Sequence, residues 1–481
     1  MAEAAVARLQ TTTRARSYDV KKISGAILGA AFGIYVGLHV PPPGLTVPAM
    51  HAAGVVVWAI FFWIFEVIPE YITSILMCTL WVTLKAVPFP KAFASFNDSN
   101  WWILVGAFGL GVAAAKTGLL RRIALLILNF FPATFTGQSW ALLGAGTILS
   151  PLIPSGSAKA AIASPLALAI SDSLHCDRKS RGACGIFGAM WAGFCVIGTP
   201  AFLSGTFINY ATSARFPENY HVTWLAWLEY AAPWTIVMFI GLGSAIYFLY
   251  RPLEKLPLPE EALPEELSRL TPMSRAEKIT ATMLVLTLLM WVLEPLHKIS
   301  SGEIAIFSIC VLLALSVMGR EDFRKEIDWP AIIYIGCLMN IGVVFQVLKI
   351  DLWLGQALEP IVGRFIANPY LFVVVFALAV YAFRFVMISI TSSVIIISVV
   401  LGPLVLSHGM HPWIVAFIAM ACVNIWFFFF MNAWFVLAFY GAGGEMIEHR
   451  KLVKLSTAYA IINVVGFLIS VPYWRFLHLI P

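Results

Sequence analysis

The chain has 481 residues, of which 12% are charged and 60% are hydrophobic, and its mean hydropathy is +0.87. Soluble domains carry about 25% charged residues, so 25 acids and 31 bases are too few to cover a soluble domain of this length. The composition excludes a cytosolic enzyme, a nucleic-acid binder and a disordered regulator. It predicts an all-α, polytopic membrane protein.

The apolar runs predict where the chain crosses the bilayer. A membrane helix needs about 20 apolar residues, and residues 1–23 are too polar and basic to provide one, which predicts a cytoplasmic tail. About eleven spans follow on this measure, near 24–43, 50–69, 71–88, 101–120, 182–212, 227–250, 279–298, 302–319, 328–348, 411–440 and 455–478.

Two further apolar stretches, 137–175 and 369–408, fit poorly as single crossings. Each has a small, hydroxyl-rich patch near its middle: PSGSAKA around Ser155, and SITSS from Ser389 to Ser393. Irregular backbone at membrane depth is tolerated only where protein buries it or water reaches it. We therefore predict that both stretches are re-entrant hairpins.

The basic residues predict the orientation of the chain. With the N-terminus inside, the inner segments hold 22 Lys and Arg residues and the outer segments hold seven. Short cytoplasmic loops of membrane proteins collect such residues. Eleven crossings then place the C-terminus outside.

The polar stretch 251–278 is predicted to be a cytoplasmic linker between two membrane halves, 24–250 and 279–481. The halves look alike, since Trp102 recurs as Trp329 at an offset of 227 that other positions share. Because five crossings and a hairpin of the first half recur in the second, we predict that the two repeats are inverted. Inverted repeats with broken helices are the usual architecture of secondary transporters.

Two bases, Lys159 and Arg384, remain inside the apolar region after the loops are counted. An uncompensated charge there costs about 2.5–3.5 kcal/mol on insertion scales, so such residues are functional candidates by default. Lys159 follows Ser155 by four residues, and Arg384 precedes Ser389 by five. One alternative is that Arg384 snorkels from a helix end. Another, for either base, is an ion pair with Glu66, Glu70 or Asp172.

The hydroxyl patches are candidate anion sites, because a helix N-terminus at a break carries partial positive charge and unpaired N–H donors. Two opposed breaks would hold both ends of a dianion. The alternative is that the hydroxyls only allow close helix packing. The candidate substrate-binding residues are Ser155, Gly156, Ser157 and Lys159 in the first half, and Arg384, Ser389, Thr391, Ser392 and Ser393 in the second.

Each half has a second interruption, GTPAFLSGTFIN in the first and MNAWFVLAFYGAGG in the second. We interpret these segments as unwound backbone that lines the same cavity. Their candidate binding residues are Thr206, Asn209 and Asn432. The two asparagines are equally well explained as interhelical hydrogen-bonding groups.

Motifs for other chemistries are missing from the sequence. There is no G-x-x-x-x-G-K-[ST] phosphate loop, no H-E-x-x-H and no G-x-S-x-G, which argues against an ATP-driven pump or an intramembrane hydrolase. The spacing of His175, Cys176 and Cys184 suits no common zinc site. The sequence thus predicts no enzyme, no cofactor and no metal site, although a membrane enzyme or scaffold remains an alternative class.

From about residue 50 onward, the ordered motifs resemble the divalent anion:sodium symporter family. They look most like its exchanger branch, which includes plastid 2-oxoglutarate/malate translocators and bacterial citrate/succinate or tartrate/succinate antiporters. SGSAK at 155–159 is similar to the exchangers' first tip, S-x-T-A-[RK], and AFLSGTFIN and FYGAGG resemble further exchanger motifs. The second tip departs from S-x-T-A-H, because SITSS lacks the basic residue.

The resemblance implies exchange of organic dianions, either C4/C5 dicarboxylates or citrate-like anions, by alternating access without sodium. Lys159 would supply positive charge where symporters bind sodium, and Arg384 would replace the charge missing from the second tip. The alternative is a sodium-coupled dicarboxylate symporter of the same fold, although Gly156 and Ile390 stand where symporters carry Asn. The resemblance also implies a homodimer in a cell membrane, most simply a bacterial inner membrane, whose partners are a small anion and its counter-substrate.

Overall fold

The computed structural model describes residues 2–214, 216–252 and 272–481, and it describes side chains from residue 20 onward with a few gaps. Within these ranges the chain is helical and contains no strand. The predicted all-α class is therefore confirmed. Most of the predicted linker 251–278, namely residues 253–271, lies outside the described residues.

The first half contains ten principal helices among the described residues. The helix Arg181–Trp191 continues through a π-helical segment, Ala192–Ile197, to Ala201, where the chain breaks before the short helix Phe207–Ser213. The helices are α1 (Ala2–Leu38), α2 (Val47–Phe65), α3 (Glu70–Thr83), α4 (Ser99–Lys116), α5 (Leu119–Asn129), α6 (Phe135–Leu149), α7 (Gly156–Ser173), α8 (Arg181–Trp191), α9 (Phe207–Ser213) and α10 (Trp224–Tyr250).

Nine principal helices follow within residues 272–481. Their order of long helix, short helix, consecutive helix pair, hairpin, broken helix and closing helix matches the order from α2 to α10. They are α11 (Arg275–Val292), α12 (Ser301–Ala314), α13 (Trp329–Val347), α14 (Ile350–Ile366), α15 (Pro369–Arg384), α16 (Ile390–Ser407), α17 (Trp413–Cys422), α18 (Ala433–Gly441) and α19 (His449–Phe476). The inverted relation between the halves stays a prediction.

By length and composition, seven helices of the described chain can cross a membrane. The number is eight if Trp101–Lys116 and Leu119–Asn129, which meet at 67°, form one bent span. Six of the seven lie at predicted spans, and the seventh, Ile390–Ser407, is the outgoing arm of the predicted second hairpin. Several other predicted spans are built from helices of 10–17 residues, so the count of eleven crossings stays a prediction.

The two halves are interleaved through their early helices. Helix α4 packs against α12, and α13 packs in the same way against α3. The α4–α12 contact is close because Gly106 has no side chain: a Cβ atom there would lie 2.5 Å from the backbone of Ala305. Across the second contact, Ser95 donates a hydrogen bond to the Gly336 carbonyl. Helices α10 and α19 form a third extensive contact.

A polar contact also ties the two halves together outside the apolar region. Lys116, the last residue of α4, donates to Asp322 in the short helix Arg320–Lys325 at 2.6 Å. This hydrogen bond, helped by the backbone N–H of Gly319, holds the pKa of the Asp322 carboxyl below its ordinary value. The bridge fixes the end of α4 against the second half.

The two stretches predicted as hairpins are helix–break–helix units. Between α6 and α7 the chain forms a short 3-10 turn, Ser150–Leu152, and then an extended segment. Pro151 and Pro154 lie in this break and have no backbone N–H to continue a helix. Between α15 and α16 the break spans residues 385–389. These breaks position the two hydroxyl-rich patches.

Candidate functional site

Four helices begin at the breaks, and each begins at a polar residue that the sequence singled out. The N-caps of α7, α9, α16 and α18 are Ser155, Thr206, Ser389 and Asn432. Each cap oxygen accepts a hydrogen bond from a backbone N–H two or three residues later, at 3.1–3.4 Å. Other N–H groups of each first turn have no partner within their helix, so these starts carry partial positive charge.

Direct contacts connect these four helix starts into one group, which we call the break cluster. The backbone N–H of Phe207 donates to the Pro154 carbonyl at 2.8 Å, which joins the first tip to the start of α9. The ring of Trp434, in the first turn of α18, lies directly against Gly156. Arg384 hydrogen-bonds the second tip and the residue before Asn432. Helix α16 also packs against α9.

Lys159 lies one turn into α7 and is fully buried. Its Nζ donates to the Gly205 carbonyl at 2.6 Å, and Gly205 immediately precedes the cap Thr206. No described residue forms an ion pair with Lys159. The side chain therefore brings a basic nitrogen, with N–H donors to spare, to the first tip and the first broken helix together.

The three acids considered as ion-pair partners lie elsewhere. Asp172 pairs with Arg178 at 2.6 Å, and Glu66 lies 3.9 Å from Lys21. Glu70 lies beside the Ser389 hydroxyl. The ion-pair alternative is therefore wrong for both Lys159 and Arg384. The snorkelling alternative for Arg384 is also wrong, since its side chain is fully buried and all its hydrogen bonds go to backbone carbonyls.

The remaining residues of the second tip divide by what they contact. Ser392 lies within hydrogen-bond distance of the Tyr334 hydroxyl on α13 and of Ser389. The Ser393 hydroxyl donates to the Ser389 carbonyl at 2.6 Å, so it stabilises the first turn of α16. Thr391 is half-buried beside the cap. Ser389 and Thr391 are thus the second-tip hydroxyl residues left partly accessible.

In the first half, Ser157 and Asn209 reinforce their own segments. The Ser157 and Ser155 hydroxyls lie 2.9 Å apart. Asn209 donates to the carbonyls of Thr199 and Phe202 at 2.7 and 2.8 Å, and so holds the end of α8 against α9. These bonds join α9 to the segment that ends α8, as the interhelical hydrogen-bonding alternative describes.

The structure adds a residue that sequence reasoning did not select, Asn424. It follows α17 at the second break, and its Nδ2 donates to Thr199 Oγ1 at 3.1 Å and to the Cys195 carbonyl at 3.4 Å. Asn424 thereby connects the two broken helices. The signal was present, because an amide inside an apolar run such as 411–440 deserves the same scrutiny as a charge.

Two cavities border the outgoing hairpin helices. One, of about 380 Å³, lies between α5 and α7 and is lined by Ile153, Ile162, Pro165 and Phe194. The other, of about 430 Å³, lies among α9, α14 and α16 and is lined by Thr212, Asp351, Ser398 and Pro403. Each hairpin helix that leaves the break cluster therefore borders a space large enough for a small molecule.

Known proteins share this fold and sequence. The solved structure of the Neisseria gonorrhoeae antimetabolite efflux pump MtrF aligns with a TM-score of 0.58 at 14% identity, covering 92% of this chain and 97% of that one. The putative malate transporter YflS of Bacillus subtilis is 25% identical over 72% of this chain and 74% of its own length. The sodium-dependent dicarboxylate transporter SdcS of Staphylococcus aureus is 24% identical over 75% of this chain and 74% of its own length.

Two tips and two broken helices that meet in one cluster are typical of secondary transporters, and the family and relatives of this chain are multi-pass membrane transporters and not enzymes. The family model described as "sodium:sulfate symporter transmembrane region" matches residues 21–480. The chain belongs to this family, and the resemblance to the divalent anion:sodium symporters is confirmed.

Proposed function

We propose that this protein exchanges organic dianions, either C4/C5 dicarboxylates or citrate-like anions, across the membrane by alternating access and without sodium. The relatives named as malate and dicarboxylate transporters support the substrate class. The break cluster suits such a substrate, because helix starts recur at both tips and at both broken helices, and each carries partial positive charge.

The observation that carries the exchange mechanism is Lys159. Its ammonium is buried, has no acidic partner among the described residues, and lies at the junction of the first tip and the first broken helix. A fixed cation at this position neutralises an anionic substrate without a bound metal ion. A cluster that holds an uncompensated positive charge is costly to move across the membrane empty, so crossing is favoured only when substrate is bound.

A sodium-coupled dicarboxylate symporter is the second candidate. The name of the Staphylococcus aureus relative favours it. Two buried amide oxygens near the breaks, Asn209 Oδ1 and Asn424 Oδ1, accept no hydrogen bond in the described structure and are suitable ligands for a cation. We prefer exchange to sodium symport, because Lys159 Nζ already donates to the Gly205 carbonyl in the first broken helix, where a sodium ion would need oxygen ligands.

The proposal includes a setting in the cell. The N-terminus is cytoplasmic, which the bias of Lys and Arg toward the inner segments supports, and eleven crossings then place the C-terminus outside. The protein forms a homodimer in a bacterial inner membrane. The first spans of each half form the static scaffold, while the hairpins and broken helices move with the substrate.

A substrate panel tests the proposed class. Proteoliposomes loaded with unlabelled succinate are expected to take up labelled succinate, and external malate, 2-oxoglutarate or citrate is expected to compete. Sulfate and butyrate, which lack two separated carboxylates, are expected to compete at least tenfold less well. Uptake that sulfate or butyrate inhibits as strongly as the dicarboxylates do would contradict the proposed substrate class.

A further inference from the structure

Arg384 ends α15 and is fully buried, yet none of its hydrogen bonds goes to an acid. Its Nε donates to the Val423 carbonyl at 3.0 Å and its Nη1 to the Met387 carbonyl at 2.6 Å. Further bonds run from Nη1 to the Ile388 carbonyl and from Nη2 to the Met431 carbonyl. Four of the five N–H donors of the guanidinium are thereby used.

Two of the four acceptors belong to the second tip, and the other two lie on either side of the break between α17 and α18. Met387 and Ile388 directly precede the tip cap Ser389. Val423 is the C-cap of α17, and Met431 precedes Asn432, the N-cap of α18. Carbonyls at a helix end or in an irregular segment have no partner within their own helix. In apolar surroundings each such group is expensive to leave unpaired. One guanidinium satisfies all four and ties the tip to the break.

The contact with Met431 has a counterpart in the first half. Lys159 donates to Gly205, which immediately precedes the cap Thr206 of α9, and Arg384 donates to Met431, which immediately precedes the cap Asn432 of α18. Both carbonyls thus hold the same position relative to the broken helix of their half. The sequence conceals this correspondence, because Lys159 follows its tip whereas Arg384 precedes its own.

We propose that Arg384 is a positioning residue and the second fixed cation of the transport site. It holds the second tip against the α17–α18 break, and its charge balances one carboxylate of the substrate without touching it. This inference rests on the dianion exchange proposed above. Glu70 borders the break cluster beside the Ser389 hydroxyl, but it forms an ion pair with neither Lys159 nor Arg384, so neither buried base is neutralised by a described acid. Two fixed cations match a dianion and disfavour a monoanion of the same shape.

Two substitutions separate the hydrogen-bonding role from the charge. Arg384→Lys keeps the charge but replaces the planar fork by a compact ammonium that cannot reach all four carbonyls. Arg384→Gln removes the charge. Arg364, an exposed residue of α14, provides matched controls as Arg364→Lys and Arg364→Gln.

The readout is exchange of labelled succinate in proteoliposomes, with inhibition by succinate and by its monoamide, succinamate, measured at neutral pH. Arg384→Lys is expected to exchange about tenfold more slowly with the wild-type preference for succinate. Arg384→Gln is expected to lose that preference by tenfold or more. Both Arg364 variants are expected to behave as wild type.

Unchanged preference in Arg384→Gln would overturn the charge role, since a purely structural role lowers the rate without altering the ratio of the two inhibitors. If Arg384→Gln yields no folded protein, Arg384→Lys decides alone: a wild-type exchange rate would show that the fork does not position the tip. Failure of the wild-type protein to exchange any dicarboxylate would instead reject the proposed function. In that case the thermal unfolding midpoint of Arg384→Lys still tests the hydrogen bonds of Arg384 to the four backbone carbonyls. If these bonds hold the second tip against the α17–α18 break, the midpoint is expected to fall.

Discussion

Substitution of Lys159 by methionine is expected to lower dicarboxylate exchange by 100-fold or more. Methionine has similar length and suits a buried position, but it removes the buried ammonium and its bond to the Gly205 carbonyl. Hydrogen bonds to charged groups contribute about 1.5–3 kcal/mol, and the lost attraction to a dianion adds to that. Every 1.4 kcal/mol corresponds to about tenfold in binding. Initial exchange rates in proteoliposomes measure the effect.

Two companion variants make the result interpretable. Lys278→Met removes an exposed lysine of α11 and is expected to leave exchange unchanged. Lys159→Arg keeps the charge with a bulkier head group and is expected to retain measurable exchange. Wild-type exchange by a folded, monodisperse Lys159→Met protein would refute the assigned role of Lys159.

The second large effect is expected from Gly156→Ala at the first tip. A Cβ atom at this position would lie 2.4 Å from the ring of Trp434, a separation that side chains do not tolerate. Either the first turn of α7 or the indole must move, and overpacking of this kind costs about 1–3 kcal/mol. Because Ser155 and Asn432 cap the two helix starts on either side of this contact, their spacing is expected to change. We expect at least a tenfold loss of succinate affinity, measured by competition of exchange.

Replacing Trp434 by a smaller residue tests whether its contact with residue 156 causes the loss of succinate affinity. The double variant Gly156→Ala with Trp434→Leu removes the ring atoms that clash and is expected to recover part of the affinity. Gly355→Ala is a matched control, because a Cβ atom at Gly355 in α14 meets no atom within 4 Å. Loss of affinity that is simply additive in the double variant would show that the two residues act independently.

Much of the architecture follows from the sequence alone. The scarcity of charge requires a membrane protein, and the apolar runs place most of the long helices within a few residues. The four cap residues were selected as candidate binding residues, Ser155 and Ser389 because they lie in hydroxyl-rich patches, and Thr206 and Asn432 because they lie in the second interruption of each half. Lys159 was found because a lysine deep in an apolar run needs a reason to be there.

The role of Arg384 was less accessible, because its partners are backbone carbonyls that carry no sequence signal. Val423 and Met431 lie 39 and 47 residues away and come near the guanidinium only when the second broken helix folds. Asn424 was overlooked for a similar reason, since its hydrogen bonds cross from the second break to α8. Local pattern predicts where a helix starts, whereas the partner of a buried donor depends on tertiary packing.

The most direct test of the account is counterflow in sodium-free proteoliposomes. Vesicles loaded with unlabelled succinate are expected to accumulate labelled succinate transiently, and vesicles with an empty lumen are expected to accumulate none, whether or not sodium is present outside. Such dependence on internal substrate, with no effect of sodium, is the signature of obligatory, sodium-independent exchange. Sodium-dependent uptake into empty vesicles would contradict the account and establish a symporter instead.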